Sequence, residues 1–177
     1  MSAVTLSSML TATLTVFLCL LFARAAWHKL AEFTEFTGFV ADYRLVPEAL
    51  VKPASMAVVG AEVLVVLAQL VPGAQVFGLI LAIAILSLYA AAMSINIRRG
   101  RTSIECGCGG AVQPLSWSLV WRNGVLVLMA LSALATAPYS LDAGGAIAAL
   151  ACGFTLWTGF PLAAQILANA AIARLTR

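Results

Sequence analysis

Cys106 and Cys108 stand one residue apart in the stretch "ECGCGG" at 105–110. Cα atoms two residues apart lie near the upper end of the range a disulfide spans, so a bridge between these thiols is strained. Strained bridges are easily reduced and belong to the labile, catalytic kind. The flanking glycines give the backbone the turns such a bridge needs. Arg98, Arg99 and Arg101 lie just upstream and favour thiolate over thiol. Three readings of the pair stand side by side. It is a redox-active dithiol, a soft-metal site for Cu(I) or Zn, or two inert loop cysteines.

The other candidates lie within apolar runs. Cys19 and Cys152 read first as small buried hydrophobes. Their depths also suit stations of a thiol relay: Cys19 about 8 Å inside Arg24 on the cysteine-loop side, and Cys152 about 10 Å from the start of the last run on the opposite side, at 1.5 Å per residue. Glu62 falls inside "VVGAEVLVVLAQL", about 12 Å below the start of its span. An ionisable group at such depth is costly and faces the bundle interior with a partner. Arg122 enters from the same side, and its long side chain either meets Glu62, in a structural ion pair or in a proton or quinone headgroup site, or snorkels outward. His28 ends the first run beside Arg24 and Lys29, where the helix dipole and lipid headgroups account for basic residues. With one histidine, a multi-histidine metal centre or haem bundle is not expected. No hydrolase triad, phosphate loop, dinucleotide fingerprint or carboxylate dyad occurs.

The elements that position these residues follow from composition. The 177 residues are 63% hydrophobic and 10% charged, against roughly 25% charged in soluble chains. This points to one all-α integral membrane domain over residues 1–177. About 20 apolar residues make a spanning helix. Five such stretches run from Leu6 to Trp27, Ala54 to Val71, Val76 to Ile97, Leu119 to Ala137 (with Ser116 as N-cap) and Ala146 to Ile172. Between the first two, Phe33, Phe36, Val40 and Tyr43 recur at helical spacing with Glu32, Glu35 and Asp42 on other faces. A short interfacial amphipathic helix ending near Pro47 is expected there. The first run lacks a preceding Lys or Arg and is long for a signal peptide, so cleavage is not expected.

Five spans put the first loop, the cysteine loop and the C-terminus on one face. All ten Lys and Arg belong to that face or its edge, which places the cysteine loop in the cytoplasm. Trp27, Trp117 and Trp121 near the span ends fit an interfacial belt. Cations that flank apolar spans, with no basic face of their own, speak against nucleic acid as a partner.

The succession "RAAWHKL", "DYRLVP", "RGR" before "CGCGG", and "PLSWSLVWRN" resembles the MauE family of methylamine-utilisation membrane proteins, within the wider DoxX-like group. The likeness covers residues from about 20 to 125. It implies a multi-pass protein of the cell inner membrane that supports maturation of the disulfide-rich methylamine dehydrogenase small subunit, alongside the thioredoxin-like MauD. Carried over, the family's cysteine motif is Cys106 and Cys108, its basic helix end Arg24, His28 and Lys29, and its intramembrane acid Glu62. Wider relatives carry an aromatic residue where this chain has Gly109. The DoxX likeness also implies a quinone as the alternative cofactor, with Glu62 and Arg122 as its headgroup site. A Cu or Zn transporter or chaperone using the Cys pair, and a plain scaffold for MauD, are the further alternatives.

Overall fold

In a computed structural model the chain folds as six helices in the order α1 (Ala3–Ala31), α2 (Phe33–Tyr43), α3 (Glu48–Leu70), α4 (Gln75–Arg98), α5 (Trp117–Ala135) and α6 (Ala143–Leu175). The structure describes residues 3–104, 114–137 and 141–175, with side chains between residues 6 and 163 of those stretches and at 165. Among the described residues five helices are long and apolar enough to cross a membrane, and α2 is the short sixth. The expected all-helical, five-span architecture with one amphipathic helix is therefore the one observed. This is a multi-pass membrane protein.

The exterior is apolar. Leu64, Leu67, Leu128, Ile147, Phe154 and Leu162 are all exposed, whereas Thr11, Thr15, Ser55, Glu62, Gln69, Asn96 and Asn123 are buried. A water-soluble protein would not expose that much contiguous apolar surface, while in lipid polar groups turn inward to bond across helices.

Helices α1, α3, α4 and α5 form the bundle. α3 packs on α1, α2 and α4, α5 packs on α4 and α1, and α6 lies against α1. The core runs along Phe17, Leu18 and Phe22 of α1, Val65 of α3, Leu79, Ala82 and Leu86 of α4, and Leu126 and Ala130 of α5. At the far end from the cysteine loop, the Thr11 and Thr136 hydroxyls are hydrogen-bonded and join α1 to α5. α6 approaches α1 closely through Gly153, where a Cβ would sit 2.6 Å from Val16 Cγ1 and 3.0 Å from the Thr13 carbonyl.

Two element boundaries differ instructively from the sequence expectation. α3 begins at Glu48, six residues before the expected Ala54, with Pro47 as N-cap and Pro53 inside the helix. Pro53 lies within the second helical turn, where it forfeits a bond to the preceding turn, and the helix continues through it. Ser116 does cap α5, with extended backbone (φ −147°, ψ 156°), but its hydroxyl makes no capping bond and pairs with Ser118 at 2.8 Å.

Candidate functional site

Two neighbouring features make the site, both at the end of the bundle where α1 and α4 finish and α3 and α5 begin. The first is a buried ion pair. Lys29 Nζ lies 2.7 Å from Glu62 Oε1, and the Tyr89 hydroxyl donates to the same oxygen at 2.6 Å. Lys29 is 4% and Glu62 0% exposed, so the pair is withdrawn from solvent and lipid alike. The ammonium also sits 5.4 Å from the centre of the Phe36 ring and 5.5 Å from that of Tyr89, which adds a cation–π contribution to its burial. Glu62 Oε2 is buried with no hydrogen-bond partner among the described residues.

The local sequence explains how the three residues meet. Leu18, Phe22, Ala26 and Lys29 are buried at successive steps of three or four along α1, so Lys29 continues the core stripe to the end of the helix. Ser55, Val59, Glu62 and Val65 do the same on α3, and Leu86, Met93 and Asn96, with Tyr89 between them, on α4. Three stripes that converge on one axis bring an acid, a base and a phenol together.

Glu62 was the member legible in advance, although α3 starts earlier than expected and Glu62 lies about 21 Å along it rather than 12. Of the two readings of Arg122, the pairing with Glu62 is not observed, and Lys29 is the cation on that carboxylate. α5, which carries Arg122, packs on α4 and α1, whereas Glu62 meets its partners on α1 and α4. Lys29 had been placed with Arg24 and His28 in the headgroup region. Its place one step beyond Ala26 on the Leu18–Phe22–Ala26 stripe is the signal that distinguishes it. His28 does lie at the periphery, with Nδ1 3.3 Å from Glu32 Oε2 one turn on and both side chains largely exposed.

The second feature is the neck of the cysteine loop. α4 ends in a Schellman turn: Gly100, in the left-handed region at φ 72°, donates to Ile97, and the Arg101 amide donates to Asn96. That turn aims the Arg101 side chain at the end of α2. Its guanidinium donates to the Asp42 carbonyl at 2.8 Å, to the Tyr43 carbonyl at 3.5 Å and to Asn96 Oδ1 at 3.3 Å. A cation on the last carbonyls of a helix is the favourable arrangement for its dipole. Downstream, the Leu115 amide donates to the carbonyls of Thr102 and Ile104, each at 3.1 Å. Ile104 and Leu115 are buried with Met93 and Leu119, and Tyr43, Tyr89, Ile97 and Val120 pack around them. Burial pushes the Tyr43 phenol up to about 12, so it stays a hydrogen-bonding hydroxyl across the physiological range.

Cys106 and Cys108 lie outside the described residues, as does the rest of 105–113. Arg98 and Arg99 are exposed at the end of α4. Arg101, expected to tune the thiols, has its side chain engaged with α2 and Asn96. Cys19 is half-buried on α1 and Cys152 exposed on α6, and neither is in a disulfide. Among the described residues no group of three His, Cys, Asp or Glu side chains could hold a metal ion.

Fold and site together define a polytopic helical membrane protein built around an intramembrane Lys–Glu–Tyr cluster. The sequence model described as "Methylamine utilisation protein MauE" matches residues 7–136. A protein called methylamine utilization protein MauE from Paracoccus denitrificans is 39% identical over 132 residues, 73% of this chain and 71% of that one. One of the same name from Methylorubrum extorquens is 37% identical over 143 residues, 76% and 77% of the two chains. This chain belongs to the MauE family, and methylamine utilisation is its setting. No solved structure matches it.

Proposed function

We propose that the chain is a thiol–disulfide redox component of the cell inner membrane that supports maturation of the methylamine dehydrogenase small subunit together with the thioredoxin-like MauD. The observation that carries this reading is the Cys-Gly-Cys spacing at Cys106 and Cys108. The neck supports it: the described residues on either side of 105–113, Ile104 and Leu115, are hydrogen-bonded to one another and buried together. Exchange is a two-step displacement. One thiolate of the pair attacks a partner disulfide, forms a mixed disulfide and expels the partner's thiolate. The second cysteine then attacks the mixed disulfide, releases the reduced partner and leaves Cys106 and Cys108 bridged. Two electrons and two protons pass to the partner.

The charge asymmetry favours a cytoplasmic position for this loop, whereas the family resemblance implies a small subunit exported to the periplasm. Reducing equivalents would therefore enter from a cytosolic dithiol protein and move outward, with Cys19 and Cys152 as intermediate stations at different depths. Replacing both Cys106 and Cys108 by Ser tests the reading. Loss of small-subunit maturation with normal membrane insertion is the expected result, and full maturation in the double variant refutes it.

A further inference from the structure

A cavity of about 200 Å³ lies between α2, α3 and α4, with Lys29 of α1 at its edge. Its lining is almost wholly apolar, although Lys29 belongs to it, because the ammonium is turned to Glu62 Oε1 at 2.7 Å. The cavity is open to the outside: Leu45 and Leu88 line it and are 39% and 55% exposed. These two mark different depths. Leu45 follows closely on Tyr43, whose carbonyl Arg101 ties to the end of α4. Leu88 lies about 15 Å further in along α4, counted back from Arg98 at 1.5 Å per residue. The opening therefore runs from the charged end of the bundle inward beside the apolar exterior. We propose that this cavity holds one acyl chain of an anionic phospholipid whose phosphate rests on the cations at its outer rim.

Three observations carry the assignment. The first is the lining. A polar occupant would lose its hydration against carbon with nothing to replace it, whereas a methylene chain has none to lose. The second is size and direction. A dry cavity of roughly 150 Å³ takes the six carbons of benzene, so about eight chain carbons fit here, and the inward run from Leu45 to Leu88 follows the course of an acyl chain. The amphipathic helix α2 walls the cavity with Phe36, Phe39 and Tyr43, at the depth where headgroups meet chains.

The third observation is charge. Arg44 stands between the lining residues Tyr43 and Leu45, Lys52 lies just ahead of the lining Ala54, and Arg98 and Arg99 end the helix that lines the cavity through Leu88 and Met93. All four cations are exposed, and none is in an ion pair with a described residue. The carboxylates nearest to them along the chain are Asp42 and Glu48, which leaves positive charge in excess at the rim. An anionic headgroup is attracted to such a cluster, while a zwitterionic one brings a cation of its own.

The proposal does not depend on the thiol reading or on which side of the membrane this rim faces. Phosphatidylglycerol carrying a diazirine midway along one acyl chain, used as a photolabel on the full chain in phosphatidylcholine nanodiscs, tests it. Labelling should concentrate on peptides spanning Phe36 to Val46 and Leu88 to Met93. Unlabelled phosphatidylglycerol should compete at a concentration at least tenfold lower than added phosphatidylcholine. Ala92→Leu and, independently, Val58→Phe fill the cavity, and each should cut the labelling at least fivefold. Lys52→Gln combined with Arg98→Gln and Arg99→Gln should erase the preference for phosphatidylglycerol. Arg24→Gln, about 140° round α1 from Lys29, should leave that preference unchanged. Labelling spread evenly over the lipid-facing helices overturns the proposal, as does labelling that both cavity-filling variants leave intact. Equal competition by the two phospholipids, or displacement by decylbenzoquinone at lower concentration than by phosphatidylglycerol, overturns it too.

Discussion

The ion pair predicts a strongly non-additive double-mutant cycle. Lys29→Met leaves the Glu62 carboxylate, 0% exposed, with Tyr89 as its remaining donor. Removing one partner of a buried pair costs about 3–5 kcal/mol. The retained phenol bond offsets part of that loss, so the lower end, about 3 kcal/mol, is expected. Glu62→Leu strands the ammonium instead. Lys29 lies near the end of α1 and its stem allows partial escape to the interface, so about 3 kcal/mol is again expected. The double variant Lys29→Met with Glu62→Leu removes both charges and fills the space with side chains of similar size. Its residual cost is the Tyr89 hydroxyl left without its acceptor, about 1–3 kcal/mol. Adding Tyr89→Phe to the double variant removes even that. The coupling energy between positions 29 and 62 is then at least about 3 kcal/mol. Chemical unfolding of the four proteins in mixed micelles, compared by linear extrapolation, measures it. Single-variant effects that add to within about 0.5 kcal/mol, the behaviour of distant sites, would refute the claim that these groups form one buried unit.

Two further predictions address packing and orientation. Gly153→Leu should destabilise the protein by about 1–3 kcal/mol, the usual range for overpacking, because even a Cβ there meets Val16 and the Thr13 carbonyl. Gly159→Ala, with nothing within 4 Å of the added carbon, should be neutral or stabilise by about 0.5–1 kcal/mol. Thermal unfolding in detergent compares the two. A membrane-impermeant maleimide should label Cys106 and Cys108 only after cells are permeabilised, and labelling in intact cells would reverse the orientation drawn from charge.

The spans were legible because each is a long apolar run with few charges. α2 was legible because Phe33, Phe36, Val40 and Tyr43 share one helical face. Glu62 stood out because an acid surrounded by valines and leucines has no cheap surface to occupy. Its partner was not legible. Sequence gives the order of helices along the chain but not which ones become neighbours, so Arg122 on α5 looked as close to Glu62 as anything on α1. Lys29 was hidden by company: beside Arg24 and His28 it reads as one more headgroup contact, and its burial follows from the α1 stripe only once that stripe is known to face α3. The early start of α3 is not legible from hydropathy because the helix begins at Glu48, ahead of the apolar run that starts at Ala54. Arg101 illustrates a third limit. Its position beside the cysteines suggested thiol tuning, whereas the Gly100 turn carries its side chain back onto α2.

The most direct test of the central claim is to trap the exchange itself. Full-length Cys106→Ser and Cys108→Ser variants are made separately in cells that are producing methylamine dehydrogenase, quenched in acid and alkylated before non-reducing electrophoresis. With the resolving cysteine gone, one of the two should accumulate a reductant-sensitive mixed disulfide with a thioredoxin-fold protein, absent from the double variant. No mixed disulfide in either single variant, with the small subunit still maturing, would contradict a redox role for Cys106 and Cys108.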